Sequence, residues 1–338
     1  MEMIKITEDE LKILFEKEKK NHGAANRLLN TLGKAVPPIV LIEGIYTLFL
    51  KYKFSYSFFL TFFLFLLADL VLLLMIPITC VFISCIKQVK QNGGNFFSAI
   101  NMTRLSLKYQ KLNKLHADEI CSDKYIAEID RLLQAEKNNC SACWLRSMKA
   151  FALFMQNRIS EAEIIIAEQR SRITKKTELF IDLPLLEIDC ADKKNDAEAF
   201  FAAIEAHHSY LELRKANEFN FALAYATICS SAEFFKKNYG NSLHYIELHE
   251  KYEESSGTLA AASSAPRKET NIHIYNRAAY ALAKAKCYYF FGEYERASTE
   301  LDAADVHIAD LTCDIPNIYI KEHREILSML LEKFPLTE

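Results

Sequence analysis

The sequence predicts an all-α protein, in which a membrane-spanning helical hairpin is followed by a helical domain. Three observations predict it. Between Pro37 and Ile86 lie two apolar segments, parted only by Lys51, Tyr52 and Lys53. Across 338 residues there are 8 Gly and 7 Pro, too few for the turn-rich sequence of a sandwich or barrel. From Ser122 onward, apolar residues recur at helical spacing to the end of the chain.

Residues 1–34 are polar and charged, so they do not read as a secretory signal and are expected to stay as a cytoplasmic helical segment. Thr7 and Glu10 have the spacing of a capping box, opening a helix with Leu11, Leu14 and Phe15 on one side. The lysine-rich opposite side suits an anionic lipid surface. Packing on the later domain would use the same apolar residues equally well, and both readings stand at this point.

Residues 35–90 form the expected membrane hairpin, entered at Gly33, Pro37 and Pro38, with spans at 37–50 and 58–86. The second span has no Lys, Arg or Glu and exceeds the roughly 20 residues a helix needs to cross a bilayer. Pro77 should bend it. The first span is short and carries Glu43, but a chain that crosses once before a long cytoplasm-like domain needs a return. Lys17, Lys19, Lys20, Arg27 and Lys34 before the hairpin, with Lys87, Lys90 and Arg104 after it, outweigh Lys51 and Lys53 in its turn. We therefore expect an integral protein of a bacterial cell membrane with both termini cytoplasmic, and the lipid bilayer as its first partner.

Asp69 stands near the middle of the second span, where a charge costs about 2.5–3.5 kcal/mol even on lenient scales. It meets a polar group of another membrane subunit or of a second copy of this chain, or it is protonated and bonded to its own backbone. Glu43 and Asp69 should differ in depth by about 10 Å or more, so they are not expected to pair.

Asn92, Gly93, Gly94 and Asn95 break the helical pattern, and residues 91–121 read as a hinge with a connecting helix. The rest, 122–338, carries the internal repeat. Ala285, Tyr288, Gly292, Tyr294, Ala297, Leu301 and Ala304 follow at steps of three, four, two, three, four and three residues. Ala150, Leu153, Asn157, Ile159, Ala162 and Ile166 repeat that spacing. The pattern resembles the tetratricopeptide repeat. That resemblance implies stacked pairs of antiparallel helices, an α-solenoid, with small residues at close contacts and Gly or Asn at the turn. Ala162 and Ala297 are 135 residues apart, near four times the family's 34-residue period, so two or three degenerate units should lie between. Ser230, Tyr239, Ser242 and Ile246 give a partial unit, whereas Ala197 to Ala206 reads as a helix with no turn signature. Residues 255–270 read as an exposed loop, and Asn317 to Phe334 as a terminal helix covering the last apolar surface.

Net charge of −3 and a pI near 6.3 give no basic footprint, which excludes nucleic acid as a partner class. The chain's nine cysteines, an odd number with no regular framework, read as free thiols rather than disulfides. Cys140 and Cys143 have CxxC spacing but lack a second ligand pair, and adjacent His207 and His208 point to different sides of a helix. No catalytic triad, phosphate loop or HExxH helix is present, so an enzyme, a cofactor and a metal site are not expected. The expected function is a membrane-anchored adaptor or scaffold that binds a protein or peptide partner in a groove lined by the first helix of each pair. Trp144, Phe151, Phe221, Tyr225 and Tyr280 are the candidate lining residues. The alternative is a regulatory sensor whose repeats bind a peptide or small ligand; similar repeat regulators usually carry a DNA-binding module that is missing here.

Overall fold

The computed structural model describes residues 5–20, 100, 104–105, 108–170, 183–261, 271–310 and 317–333. The chain divides into two compact units, Met1–Leu14 with Gln88–Glu338, and Phe15–Lys87. Both expected spans, with Glu43 and Asp69, and the glycine hinge at 92–95 lie outside the described residues. Among the described residues no helix is long and apolar enough to cross a membrane, and all regular structure is α-helix.

Helix α1 covers residues 8–20. Its capping box closes in both directions, the Thr7 amide donating to Glu10 Oε2 at 2.7 Å and the Glu10 amide to Thr7 Oγ1 at 3.2 Å. Ile6, Leu11 and Leu14 are buried. Lys215 Nζ donates to the Lys5 carbonyl at 3.2 Å, and Lys251 pairs with Glu8 at 2.5 Å. Of the two uses open to this apolar stripe, packing on the later domain is the one observed for residues 5–14. Thr7→Val should weaken this helix start by about 1 kcal/mol, measurable as faster amide exchange confined to residues 8–14.

The later helices are α2 (Gln110–Glu119), α3 (Asp123–Ala135), α4 (Asn139–Met155), α5 (Ile159–Arg170) and α6 (Leu183–Lys193). They continue as α7 (Ala197–Asn217), α8 (Phe219–Phe235), α9 (Tyr239–Ala261), α10 (Asn271–Phe291), α11 (Tyr294–Ala309) and α12 (Asn317–Lys333). Two expected boundaries move. Residues assigned to a connecting segment before 122 belong to the core, because Leu105, Tyr109, Leu112 and Ile120 are buried with residues of α3 and α4. The expected loop from 255 instead begins as helix: α9 runs to Ala261, Ser255 Oγ donating back to the Lys251 carbonyl at 2.8 Å. Its alanines favour helix, which outweighs one Gly and several Ser.

Four pairs, α4–α5, α6–α7, α8–α9 and α10–α11, are joined by turns of one construction. Asn157, Asn195, Lys237 and Gly292 have φ of 60°, 57°, 61° and 87°. Each donates its amide to the carbonyl three residues back, and its successor donates five residues back, as in Arg158 to Leu153 and Glu293 to Tyr288. This double bond satisfies the last carbonyls of the first helix and demands a left-handed residue. Lysine suits that conformation poorly, so Lys237→Gly should raise stability by about 0.5–1 kcal/mol, read as a later urea midpoint.

Five residues beyond each turn residue stand Ala162, Phe200, Ser242 and Ala297, all buried, where the second helix approaches the first. The stretch from Ala197 therefore does have the turn that the sequence did not reveal. Asn195 makes it, and a phenylalanine replaces the small residue that marks the other three pairs. Phe200 is accommodated by rings, lying 5.3 Å from Phe201 and 5.0 Å from Phe235.

Consecutive helices pack on one another, and α12 departs from that order. Besides α10 and α11 it touches α4, and α10 touches α2. Ile318, Tyr319, Ile326 and Leu330 share one core with Tyr109, Trp144, Leu145, Leu183 and Leu282. The last helix is thus seated against α4 as well as the last pair.

Candidate functional site

In α6, Leu183, Leu186 and Cys190 form a buried stripe whose next position is Lys193. In α12, Ile318, Ile326 and Leu330 form a stripe at four-residue steps whose missing member is Glu322. A helix that places one charge within its apolar stripe must find that charge a partner. The two meet: Lys193 Nζ donates to Glu322 Oε2 at 2.7 Å, with 26% and 15% of the side chains accessible.

Around this pair lie Asp192 of α6, Ser231 of α8, Lys286 of α10 and Tyr319 of α12. Burial raises the Asp192 carboxyl, against the pull of Lys193 and Lys286 and a hydrogen bond with Ser231. Burial opposes the charge on Lys193, yet the Glu322 and Asp192 carboxylates hold its pKa above the usual lysine range. Glu322 is likewise opposed by burial and held below the usual range by Lys193 and Lys286. Burial raises the Tyr319 phenol. Lys286 sits over the Phe234 ring at 4.7 Å. Residues of all the first helices except α4 thus contribute to one mixed-charge seam against α12. It keeps some contact with water, and at its centre a lysine of α6 meets the acidic residue set within the apolar stripe of α12.

A second polar cluster joins α9 and α10. The Tyr280 hydroxyl lies 3.0 Å from His249 Nε2 and donates to Glu253, whose other oxygen accepts from Asn276. With Tyr280 donating to the carboxylate, His249 is the donor from Nε2, and its buried Nδ1 has no hydrogen-bond partner among the described residues. Burial lowers the His249 pKa to about 4, despite Glu253 and Glu250 nearby.

The expected groove-lining aromatics are a correction. Trp144, Phe221, Tyr225 and Tyr280 are buried side chains, and Phe151 is a half-buried one packed against the core. Trp144 stacks on Tyr109 at 5.3 Å, Phe221 lies under the Arg214 guanidinium at 4.3 Å, and Tyr225 donates to Glu212 at 2.8 Å. Helical spacing cannot distinguish a groove-facing ring from one facing a neighbouring helix; here neighbours hold them. The residues singled out for repeat packing occupy close contacts: Ala150, Leu153, Ala162, Ala285, Tyr288 and Ala297 are buried. Asn157 and Gly292 make turns, and Tyr294 sits 5.4 Å from Tyr289.

Cys140 and Cys143 lie in the first turn of α4, capped by Asn138, whose Oδ1 accepts from the Cys140 and Ser141 amides. Cys143 Sγ donates to Gln169 at 2.7 Å. Burial pushes the Cys190 and Cys229 thiols up to about 12, so they are neutral at ordinary pH. His207 faces Glu187 at 3.1 Å, while His208 is exposed. Among the described residues no group of three His, Cys, Asp or Glu converges as a metal site.

Comparison of the chain with protein-family models, curated proteins and solved structures finds no match.

Proposed function

We propose that this protein is a membrane-anchored adaptor, in which hydrophobic residues 37–86 attach a tetratricopeptide-like array to the cytoplasmic membrane face and the array binds a protein partner. The observation that carries the reading is the turn shared by four successive helix pairs, each with a left-handed residue and a buried position five residues on. Pairs of one construction stack into arrays, and arrays of this type bind by extended surface contact rather than at a reactive centre.

The anchoring part of the proposal is supported by the course of the chain. Residues 5–14 and the chain from Leu105 onward are taken up by one folded unit, with the hydrophobic segment between them. A segment that leaves a folded unit and returns to it crosses a bilayer an even number of times, which agrees with two spans and with both termini on one side.

Crosslinking in membranes followed by purification of the full chain tests the adaptor. One defined protein should co-purify; recovery of no protein above background would overturn the reading. Asp69→Leu should reduce the detergent-solubilised assembly size if Asp69 meets another membrane subunit or a second copy, and an unchanged size would remove that contact. Labelling of cysteines introduced in the array from the outer side of intact cells would overturn the cytoplasmic placement. The water-accessible seam also favours a second reading, a sensor whose small ligand enters beside Lys193 and Lys286. Its mark would be a rise in melting temperature with metabolite extract, abolished by Lys286→Met.

A further inference from the structure

We propose that α12 is an internal ligand of the array, and that the partner accepted in its place is an amphipathic helix carrying one acidic residue within its apolar stripe. This rests on the adaptor reading and names the chemistry of its partner.

A helix that served only to end the array would need to cover α10 and α11. Helix α12 does more, since it reaches α4 and pairs with Lys193 of α6. What it offers to the inner surface is compact: Ile318, Glu322, Ile326 and Leu330 at four-residue steps, with Tyr319 beside them, 6.3 Å from Tyr275. What the surface offers in return is complementary, a set of apolar side chains surrounding Lys193, with Lys286 close enough to lower the Glu322 pKa.

The seam is of the kind used for recognition rather than for dry packing. A charge in an apolar stripe adds little net stability against a hydrophobic replacement, but it sets register and rejects helices lacking the matching group. Part of both side chains remains accessible, so water can replace each partner when the pair opens. The opposite side of α12 leaves Leu327 40% and Leu331 43% exposed, so the helix is not enclosed on all sides as a core helix would be. A partner helix with an aliphatic–acid–aliphatic pattern at four-residue steps would fit the same surface in the same register. The covalent tether gives α12 a high effective concentration and makes it the occupant until such a partner exceeds it.

The test uses the full chain in detergent, with a protease site inserted between Ala309 and Asn317. The probes are fluorescent synthetic peptides of residues 317–338, one natural and one with Glu322→Lys. After cleavage, the natural peptide should exchange onto the protein, with the Glu322→Lys peptide competing at least tenfold more weakly. A Lys193→Glu chain should reverse that preference. The uncleaved chain should bind the natural peptide at least tenfold more weakly than the cleaved one, because the tethered helix competes. The proposal is overturned if the cleaved α12 fails to exchange, if its departure abolishes the helical circular dichroism of the remainder, if both peptides compete equally, or if cleavage makes no difference. Such a failure leaves the membrane pulldown standing, since a partner recovered there could bind another surface.

Discussion

Lys193→Met is expected to lower the stability of the folded unit by about 2 kcal/mol, whereas Lys193→Met combined with Glu322→Leu should come close to the parent. The single change leaves the Glu322 carboxylate facing an apolar stripe without its donor at 2.7 Å. Breaking a buried pair typically costs about 3–5 kcal/mol. The lower figure applies here because both side chains keep some contact with water and Lys286 remains nearby. The double change removes both charges and completes both apolar stripes, so its cost is small or negative. Urea unfolding can be followed through Trp144, the single tryptophan, which stacks on Tyr109 in the core shared with α12. If the single and double variants lose equal stability, the two residues are not coupled and the seam does not hold α12.

Acid is expected to destabilise the unit in two separable stages, the first belonging to His249. Its pKa is about 4 in the folded chain, below the ordinary value of 6.5. Below pH 6.5 the unfolded chain takes up a proton that the folded chain refuses. Stability is therefore complete above pH 6.5 and falls as pH drops toward 4, by about 3 kcal/mol across that window. Glu136 belongs to the second stage. Burial opposes its charge, but hydrogen bonds from Lys108 and Tyr109 lower it to about 2, so its contribution is lost only as pH falls from 4.5 toward 2. His249→Gln keeps an N–H for the Tyr280 hydroxyl and cannot ionise. Its unfolding free energy should fall less steeply than the parent's between pH 6.5 and 4.5, the remaining slope coming from groups such as His207, which burial also lowers, and equal slopes would remove His249 from the account.

Helices announced themselves in the sequence wherever one local rule decided the outcome. The Thr7–Glu10 box is such a case, since both hydrogen bonds depend on residues three apart. Asn157 and Gly292 are others, because few residues tolerate the left-handed turn. Lys237 and Asn195 escaped notice for opposite reasons: the first is a residue type seldom found in that conformation, and the second is followed by Phe200 where the pattern called for a small side chain. Long-range placement was not legible in the same way. The rings at 144, 221, 225 and 280 have spacing that suits a groove and a core equally, and only the neighbouring helices decide. The charged seam leaves a trace in the sequence, a lysine continuing the stripe of α6 and a glutamate interrupting that of α12. Each looks like a flaw when its helix is read alone, and their meeting could not be foreseen because they are separated by 129 residues.

The docking of residues 5–14 also sets an order of events in time. Lys215 bonds to the Lys5 carbonyl across 210 residues, and Lys251 to Glu8 across 243. At about 5–20 residues per second of synthesis, the N-terminal helix waits some 10–50 s for the surface that receives it. The hydrophobic segment at 37–86 leaves the ribosome well inside that interval. Under the anchoring proposed above, insertion into a bilayer would begin before these N-terminal contacts of the unit close.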